Sequence, residues 1–175
     1  MMKLNLGCGK DIKKGYVNLD KATLENVDIV HDMDKFPYPF KDNTFEEILC
    51  NGSLEYVADL FKVVEEMHRI AKAGAIIKIN VPYWHSYACY PHLNTFNIDS
   101  FKYFEENNPY NYYTKARFKV IAIKLIPSKI GKLIPPLPIP KRIFPNVFDF
   151  RHLISYLLGE VILRVYFELK AIKNR

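Results

Sequence analysis

Long apolar runs are missing from this chain: no stretch of about 18 residues escapes a charge, which excludes a spanning helix on sequence grounds. Cysteine is scarce. Cys8, Cys50 and Cys89 are too few and too scattered for a disulfide framework, so a reducing, cytoplasmic setting is expected. Met1 to Leu6 run straight into a strand-like segment and leave no room for a signal peptide. Repeats and low-complexity tracts are absent, and no Gly-Lys-Ser/Thr follows a glycine loop, so a phosphate cradle of that type has no support. What remains is ordinary for one soluble globular domain: 175 residues, 49% hydrophobic and 25% charged. The net charge of +6 is uneven. Residues 1–87 hold 11 Lys/Arg against 13 Asp/Glu, whereas residues 114–175 hold 13 against 3. Such a basic third suits an anionic partner, or else a solvated surface that only keeps the protein soluble.

The first half alternates short apolar runs with turns. Residues 3–6, 16–19, 27–31 and 46–50 read as strands bounded by Gly, Asp or Asn. Residues 56–73 set Val57, Leu60, Phe61, Val64, Met67, His68 and Ala71 at helical spacing, with Gly74 in the place of a terminator. Residues 75–81 form a nearly continuous apolar run, expected for a central parallel strand. This alternation predicts a three-layer α/β sheet. In the second half, 12 of the 36 residues from Tyr83 to Phe118 are aromatic, and Asn97 is placed to cap a short helix over 98–106. Residues 118–126 and 161–172 read as an antiparallel pair, and 148–158 as a helix. Between them, residues 127–145 carry six prolines, too many for a helix or a central strand.

The chemistry starts at the first turn. Leu4-Asn5-Leu6-Gly7-Cys8-Gly9 is a strand entering a glycine pair, where backbone can approach a ligand that a Cβ would exclude. Eleven residues past Gly9, Asp20 ends a second short strand, placed to accept both hydroxyls of a ribose. The third glycine of the dinucleotide fingerprint is replaced by Ile12. Next come Asp32-Met33-Asp34, then Phe36-Pro37-Tyr38-Pro39-Phe40-Lys41-Asp42-Asn43-Thr44-Phe45-Glu46, and Asn51-Gly52-Ser53-Leu54-Glu55-Tyr56. In order and spacing, residues 3 to about 104 resemble the class I S-adenosylmethionine-dependent methyltransferases, particularly the small type 11 group. The resemblance implies a trimmed Rossmann-like methyltransferase fold, a mostly parallel seven-stranded sheet with an antiparallel C-terminal strand. It implies S-adenosylmethionine as cofactor, with Gly7 and Gly9 at its methionine end, Asp20 on the ribose, Asp32 and Met33 beside the adenine, and Asn51 near the amino group. The family's Leu-Glu-His stands here as Leu54-Glu55-Tyr56, and its Phe-Asp as Phe45-Glu46. Only residues 7–16 join the first two strands, too short for the usual crossover helix.

Residues 1–82 are then the cofactor-binding half of a single domain, 83–117 an aromatic lid or acceptor region, and 127–147 a basic Pro-rich insertion. In the aromatic region His85 and His92 are candidate general bases, since imidazole titrates near neutrality. The plainer alternatives are structural histidines and aromatics that serve as core. His85-x3-Cys89-x2-His92 also has metal-like spacing, although no fourth ligand is near. The expected activity is methyl transfer to an oxygen or nitrogen of a small, anionic, nucleotide-linked or lipid-linked acceptor, with peripheral contact to an anionic membrane through the basic Pro-rich segment 127–147, whose cations are Lys129, Lys132, Lys141 and Arg142. Two alternatives are a catalytically silent S-adenosylmethionine-binding accessory protein and an RNA methyltransferase. Against nucleic acid, Asn51-Gly52-Ser53-Leu54 is not an Asn-Pro-Pro-Tyr base-flipping motif, and no RNA-binding module is attached.

Overall fold

A computed structural model describes residues 2–84, 92–140 and 149–173. Nine elements follow in chain order: β1 (Lys3–Leu6), β2 (Val17–Asp20), β3 (Ile29–Val30), β4 (Phe45–Asn51), α1 (Leu60–Ile70), β5 (Ala71–Pro82), β6 (Arg117–Pro127), α2 (Phe150–Leu158) and β7 (Ile162–Ile172). They form one seven-stranded sheet in the order β3-β2-β1-β4-β5-β7-β6. The first five strands pair in parallel, and β7 inserts antiparallel between β5 and β6. This is the expected seven-stranded sheet with its antiparallel end. The joining segments are shorter still than the sequence suggests: among the described residues, only α1 supplies a helical crossover between parallel strands.

One face of the sheet is packed and the other is polar. Ala75, Ile77, Ile79 and Val81 of β5 are buried, and across the ladder Ile77 meets Leu169, Ile79 meets Phe167 and Val81 meets Val165. The alternate side chains are Lys78 and Asn80, paired with Glu168 and Tyr166. On the same face Glu47 takes ion pairs from Lys78 at 3.0 Å and Lys3 at 3.8 Å, plus a hydrogen bond from the Tyr16 hydroxyl. A sheet buried on both faces would need continuous apolar strands; this one alternates. The three-layer expectation is therefore corrected to one packed face, and the run at 75–81 owes its composition to a single buried side.

That face is covered by α1, through Val63, Val64, Met67 and Ile70, and by aromatic rings of the second half. Phe101 lies edge-on to Phe167 at 4.8 Å and stacks with Phe96 at 6.1 Å. Tyr83, Phe96, Phe101, Phe104 and Phe118 are core residues, whereas Trp84, Tyr110, Tyr112 and Tyr113 stay exposed.

Two helix expectations change. Asp59 caps α1 by accepting from the Lys62 N–H at 3.0 Å, but the helix stops at Ile70 rather than before Gly74. The carbonyls of Arg69 and Ile70 accept the N–H groups of Asn43 and Thr44 at 3.0 and 2.7 Å, so the chain entering β4 satisfies the helix end. Gly74, with φ +78°, instead forms a bulge inside β5, where the register jumps from Phe45↔Ala71 to Glu47↔Ile76. Residues 98–106 are turns with one 3₁₀ segment, Lys102–Phe104, rather than a helix. There the Asn97 side chain accepts from the Asp99 N–H at 2.9 Å and closes a local turn.

The Pro-rich run is irregular where described, with a single 3₁₀ turn at Gly131–Leu133. The sequence also allows a plainer reading, in which Leu133, Leu137 and Ile139 pack onto the sheet; Leu133 and Leu137 depart from it, being 84% and 53% exposed, while Ile139 is half-buried. Lys141, Arg142 and the rest of 141–148 lie outside the described residues. Among those described, no helix is long and apolar enough to cross a membrane.

The one-sided sheet makes a quantitative prediction. Ile79→Ala should cost about 2–5 kcal/mol in chemical denaturation, as for other fully buried aliphatics. Lys78→Ala, one residue away on the polar face, should cost less than about 1 kcal/mol. Equal losses would contradict the arrangement.

Candidate functional site

At the end of β1 the backbone turns through Gly7 (φ +68°), Cys8 and Gly9 (φ +49°). Gly7 is required by packing: a Cβ there would stand 2.5 Å from the Ser53 side chain and 3.1 Å from Met33 Sδ. Gly9 differs, because nothing lies within 4 Å of its absent Cβ. It borders open space. The turn is fastened to β2 by three donated hydrogen bonds, Gly7 N–H (2.8 Å) and Cys8 N–H (3.0 Å) to the Leu19 carbonyl, and Gly9 N–H (2.7 Å) to Asp20 Oδ2. Asp20 Oδ1 accepts from the Ala22 N–H at 2.9 Å, which fixes the carboxylate in orientation.

Beyond this turn lies a cavity of about 480 Å³, within the usual range for small-molecule sites. Gly7, Gly9, Asp20, Asp32 and Met33 are brought together on its wall. Met33 is held by the Tyr38 hydroxyl, which donates to its carbonyl at 2.9 Å. Asn51 departs from expectation. Its side chain accepts from Asn80 Nδ2 at 3.0 Å and reaches toward Asp11, while Gly52 takes the place on the cavity wall. Sequence reasoning also missed Ser53, Val57, Tyr56 and Leu93, which complete the wall. The first three follow the fourth strand and were within reach of the motif. Leu93 comes from a loop brought in by tertiary contacts: its N–H and that of Asn94 donate to the Glu55 carbonyl at 2.7 and 3.1 Å.

Of the candidate bases, His92 does not line the cavity but adjoins Tyr56, which does, its Nε2 hydrogen-bonded to the Tyr56 hydroxyl at 3.2 Å and its ring edge-on to Tyr56. Tyr56, at the position of the family's His, thus carries an imidazole from elsewhere. His85 and Cys89 lie outside the described residues. Among those described, no group of three or more His, Cys, Asp or Glu could hold a metal ion. Cys8 and Cys50 are no nucleophiles here. Burial pushes their thiols up to about 11 and about 12, assisted at Cys8 by nearby Asp20, so both stay protonated at neutral pH.

Glu55 is the unusual group. Its side chain is buried, with the residue only 3% exposed, and Oε2 has no hydrogen-bond partner. Burial raises its carboxyl above the ordinary range, opposed by the charges of Arg164 and His92. It lies just behind the wall, since a Cβ on Gly52 would come 3.6 Å from Glu55 Oε1 and 3.2 Å from Arg164 Nη2.

The lining decides which ligand fits. In a dinucleotide fold, free N–H groups of the glycine turn receive a pyrophosphate. Here the N–H groups of Gly7, Cys8 and Gly9 are already spent on β2, and Asp20, Asp32 and Asp34 outnumber the lone Lys21. Such a cavity suits a hydroxyl-bearing, cationic nucleoside. Asp20 would accept from the ribose hydroxyls, and Met33 and Val57 offer apolar faces for a base. The residues present fit S-adenosylmethionine.

Residues 4–79 match the methyltransferase domain family. The chain is 33% identical over 72 residues to the demethylmenaquinone methyltransferase of Staphylococcus epidermidis, a match covering 39% of this chain and 30% of that enzyme. It therefore spans under a third of that relative's length. Among solved structures, an S-adenosylmethionine-dependent methyltransferase from Archaeoglobus fulgidus aligns over 97% of this chain and 85% of its own, with a TM-score of 0.64 and 14% identity. The geranyl diphosphate C-methyltransferase of Streptomyces coelicolor, crystallised with Mg²⁺, geranyl diphosphate and S-adenosylhomocysteine, covers 98% and 71%, with a TM-score of 0.60 and 13% identity.

The buried Glu55 predicts a pH signature. A folded-state pKa above the unfolded value means that stability is lost as pH rises through the folded pKa, because the native state must then bury a charge. Glu55→Gln removes that loss. The melting-temperature difference, variant minus wild type, should grow more positive from about pH 4 to about pH 8. A flat difference would show Glu55 titrating as in the unfolded chain.

Proposed function

We propose that this chain, a class I S-adenosylmethionine-dependent methyltransferase in its fold and in residues 4–79, transfers a methyl group to an oxygen or nitrogen of a small acceptor. The observation that carries this reading is the acidic cavity at the β1–β2 turn, whose glycine N–H groups are all occupied. Carboxylates without free N–H donors favour hydroxyls and positive charge over phosphate.

When bound, S-adenosylmethionine supplies an electrophilic methyl on a sulfonium. The protein's share of an in-line displacement is alignment and exclusion of water. Asp20, pinned by the Gly9 and Ala22 N–H groups, would hold the ribose without reorganising, since its carboxylate is already oriented. Asp32 and Met33 would frame the base. Val57 and Leu93 give the wall apolar surface that keeps water from the reacting atoms. His92, positioned by Tyr56, is the described group suited to take the proton that an O–H or N–H acceptor loses on methylation. His85 remains a second candidate. The acceptor is read as anionic or lipid-linked because the C-terminal third is so basic.

Calorimetry tests the cofactor assignment directly. The wild type should bind S-adenosylmethionine, and Asp20→Ala should weaken it by about 1–3 kcal/mol, the cost of unpaired buried hydroxyls. Absence of binding, or tighter binding of NAD, would overturn the reading. For His92→Ala, unchanged cofactor affinity with a turnover loss of about 10²-fold or more is expected of a general base.

A further inference from the structure

Lys129, Lys132 and about half of the exposed large apolar side chains lie at one end of the sheet, the end where β6 finishes and β7 begins. β6 leaves the sheet at Pro127, which pairs with Ile162 at the start of β7. The chain is then tied down by its backbone: Ser128 N–H donates to the Val161 carbonyl at 3.0 Å, and a Cβ on Gly131 would stand only 2.0 Å from that oxygen. Further on, the Phe150 N–H donates to the Leu137 carbonyl at 2.8 Å, and Arg151 donates twice to the Ile134 carbonyl, binding the run to the first turn of α2. Tyr156 of α2 meets Trp84 at 6.0 Å, and Tyr83 N–H donates to the Leu163 carbonyl at 3.1 Å. The end of β5, the Pro-rich run, α2 and the start of β7 therefore share one surface. It lies at the carboxyl ends of the parallel strands, where the cavity also opens.

On this surface the backbone is anchored while the apolar side chains face outward. Ile130 is 67% exposed, Leu133 84% and Leu158 73%, with Leu137, Leu163 and Trp84 also exposed. An isolated domain has no reason to fix backbone so firmly and leave a contiguous apolar set in water. Lys129 and Lys132 flank these residues, exposed, and not one Asp or Glu occurs between Glu106 and Asp149. The most exposed of the apolar groups are aliphatic: Ile130 and Leu133 project from the proline-held run and its short turn, and Leu158 from the end of α2. They offer neither the stacked rings that single-stranded nucleic acid uses nor a groove for a peptide.

We propose that this rim docks the protein on an anionic lipid bilayer, with Ile130, Leu133 and Leu158 entering the interfacial layer and Lys129 and Lys132 among the headgroups. Charge complementarity selects the occupant: the run from Pro127 to Pro140 carries Lys129 and Lys132 and no Asp or Glu, with Asp149 and Glu160 only at the two ends of α2, so the run attracts phosphate headgroups. The surface stands independently of the methyl-transfer reading, and the test needs no S-adenosylmethionine.

The full chain is sedimented with vesicles of phosphatidylcholine alone or with about one third phosphatidylglycerol. Wild type should pellet with the anionic vesicles only and be released near 1 M salt, where the Debye length is about 3 Å. Leu133→Glu/Leu158→Glu and Lys129→Glu/Lys132→Glu should each bind roughly tenfold more weakly or worse, with unchanged melting, since all four side chains are exposed. Wild type staying in the supernatant overturns the proposal. So does a Leu133→Glu/Leu158→Glu variant that pellets like wild type, or a light-scattering dimer that Leu133→Glu abolishes while vesicles bind nothing.

Discussion

Three hydrogen bonds at the first turn carry the cofactor half. The Leu19 carbonyl takes the N–H groups of Gly7 and Cys8, and Asp20 takes that of Gly9. In a helical crossover those donors would open a helix and point at a ligand. Here they close a ten-residue connection directly onto the neighbouring strand, so β1 and β2 stay parallel with no helix between them. The same bonds fix Asp20 where it lines the cavity and leave the turn without anion-binding capacity. Trimming the fold and leaving the turn without free N–H donors are thus one structural decision.

Loss of the crossover helices has a second consequence. A sheet with one covered face must make the other compatible with water, and it does so by alternation. Lys3, Glu47, Lys78 and Glu168 occupy the face opposite Leu4, Ile48, Ile77 and Leu169. Exposed ion pairs add little stability, so the packed face must supply most of it. That explains why rings from the second half, Phe96, Phe101, Phe104 and Phe118, are drawn into the core rather than kept as a lid.

The sequence made the strand ends legible because glycine, aspartate and β-branched residues act locally. Gly7, Gly9 and Asp20 stood out as strand-end residues, Asp32 and Met33 came from the resemblance, and all five line one cavity; the antiparallel pairing of β6 with β7 was legible in its apolar pattern. What escaped is set by distant partners. Arg69 and Ile70 end α1 because Asn43 and Thr44 lie against their carbonyls. Asn51 turns from the cavity because Asn80, 29 residues later, donates to it. One-sidedness of the sheet was legible in principle: Lys78 and Asn80 interrupt the apolar run at every second position, a period-2 signal masked by Ile76.

The two halves of the chain divide the labour. Up to Pro82, the carboxylates that line the cavity, Asp20, Asp32 and Asp34, each accept a backbone N–H, whereas Glu55 Oε2 is left buried and unpaired. Leaving a carboxylate so costs stability and is sustained only where the surrounding structure fixes it. The Glu55 backbone does that fixing, since its carbonyl anchors Leu93 and Asn94 and so brings the His92 segment to the cavity. The 3₁₀ turn at Leu54–Tyr56 is therefore where the first half of the chain meets the loop that carries His92. Tyr56 meets His92 from one side of that turn, while Arg164 of β7 approaches Gly52 and Glu55 from the other. Through its carbonyl Glu55 holds the loop that carries His92, and through its side chain it faces Arg164 of β7, so one buried residue touches both the second-half loop and the antiparallel end of the sheet.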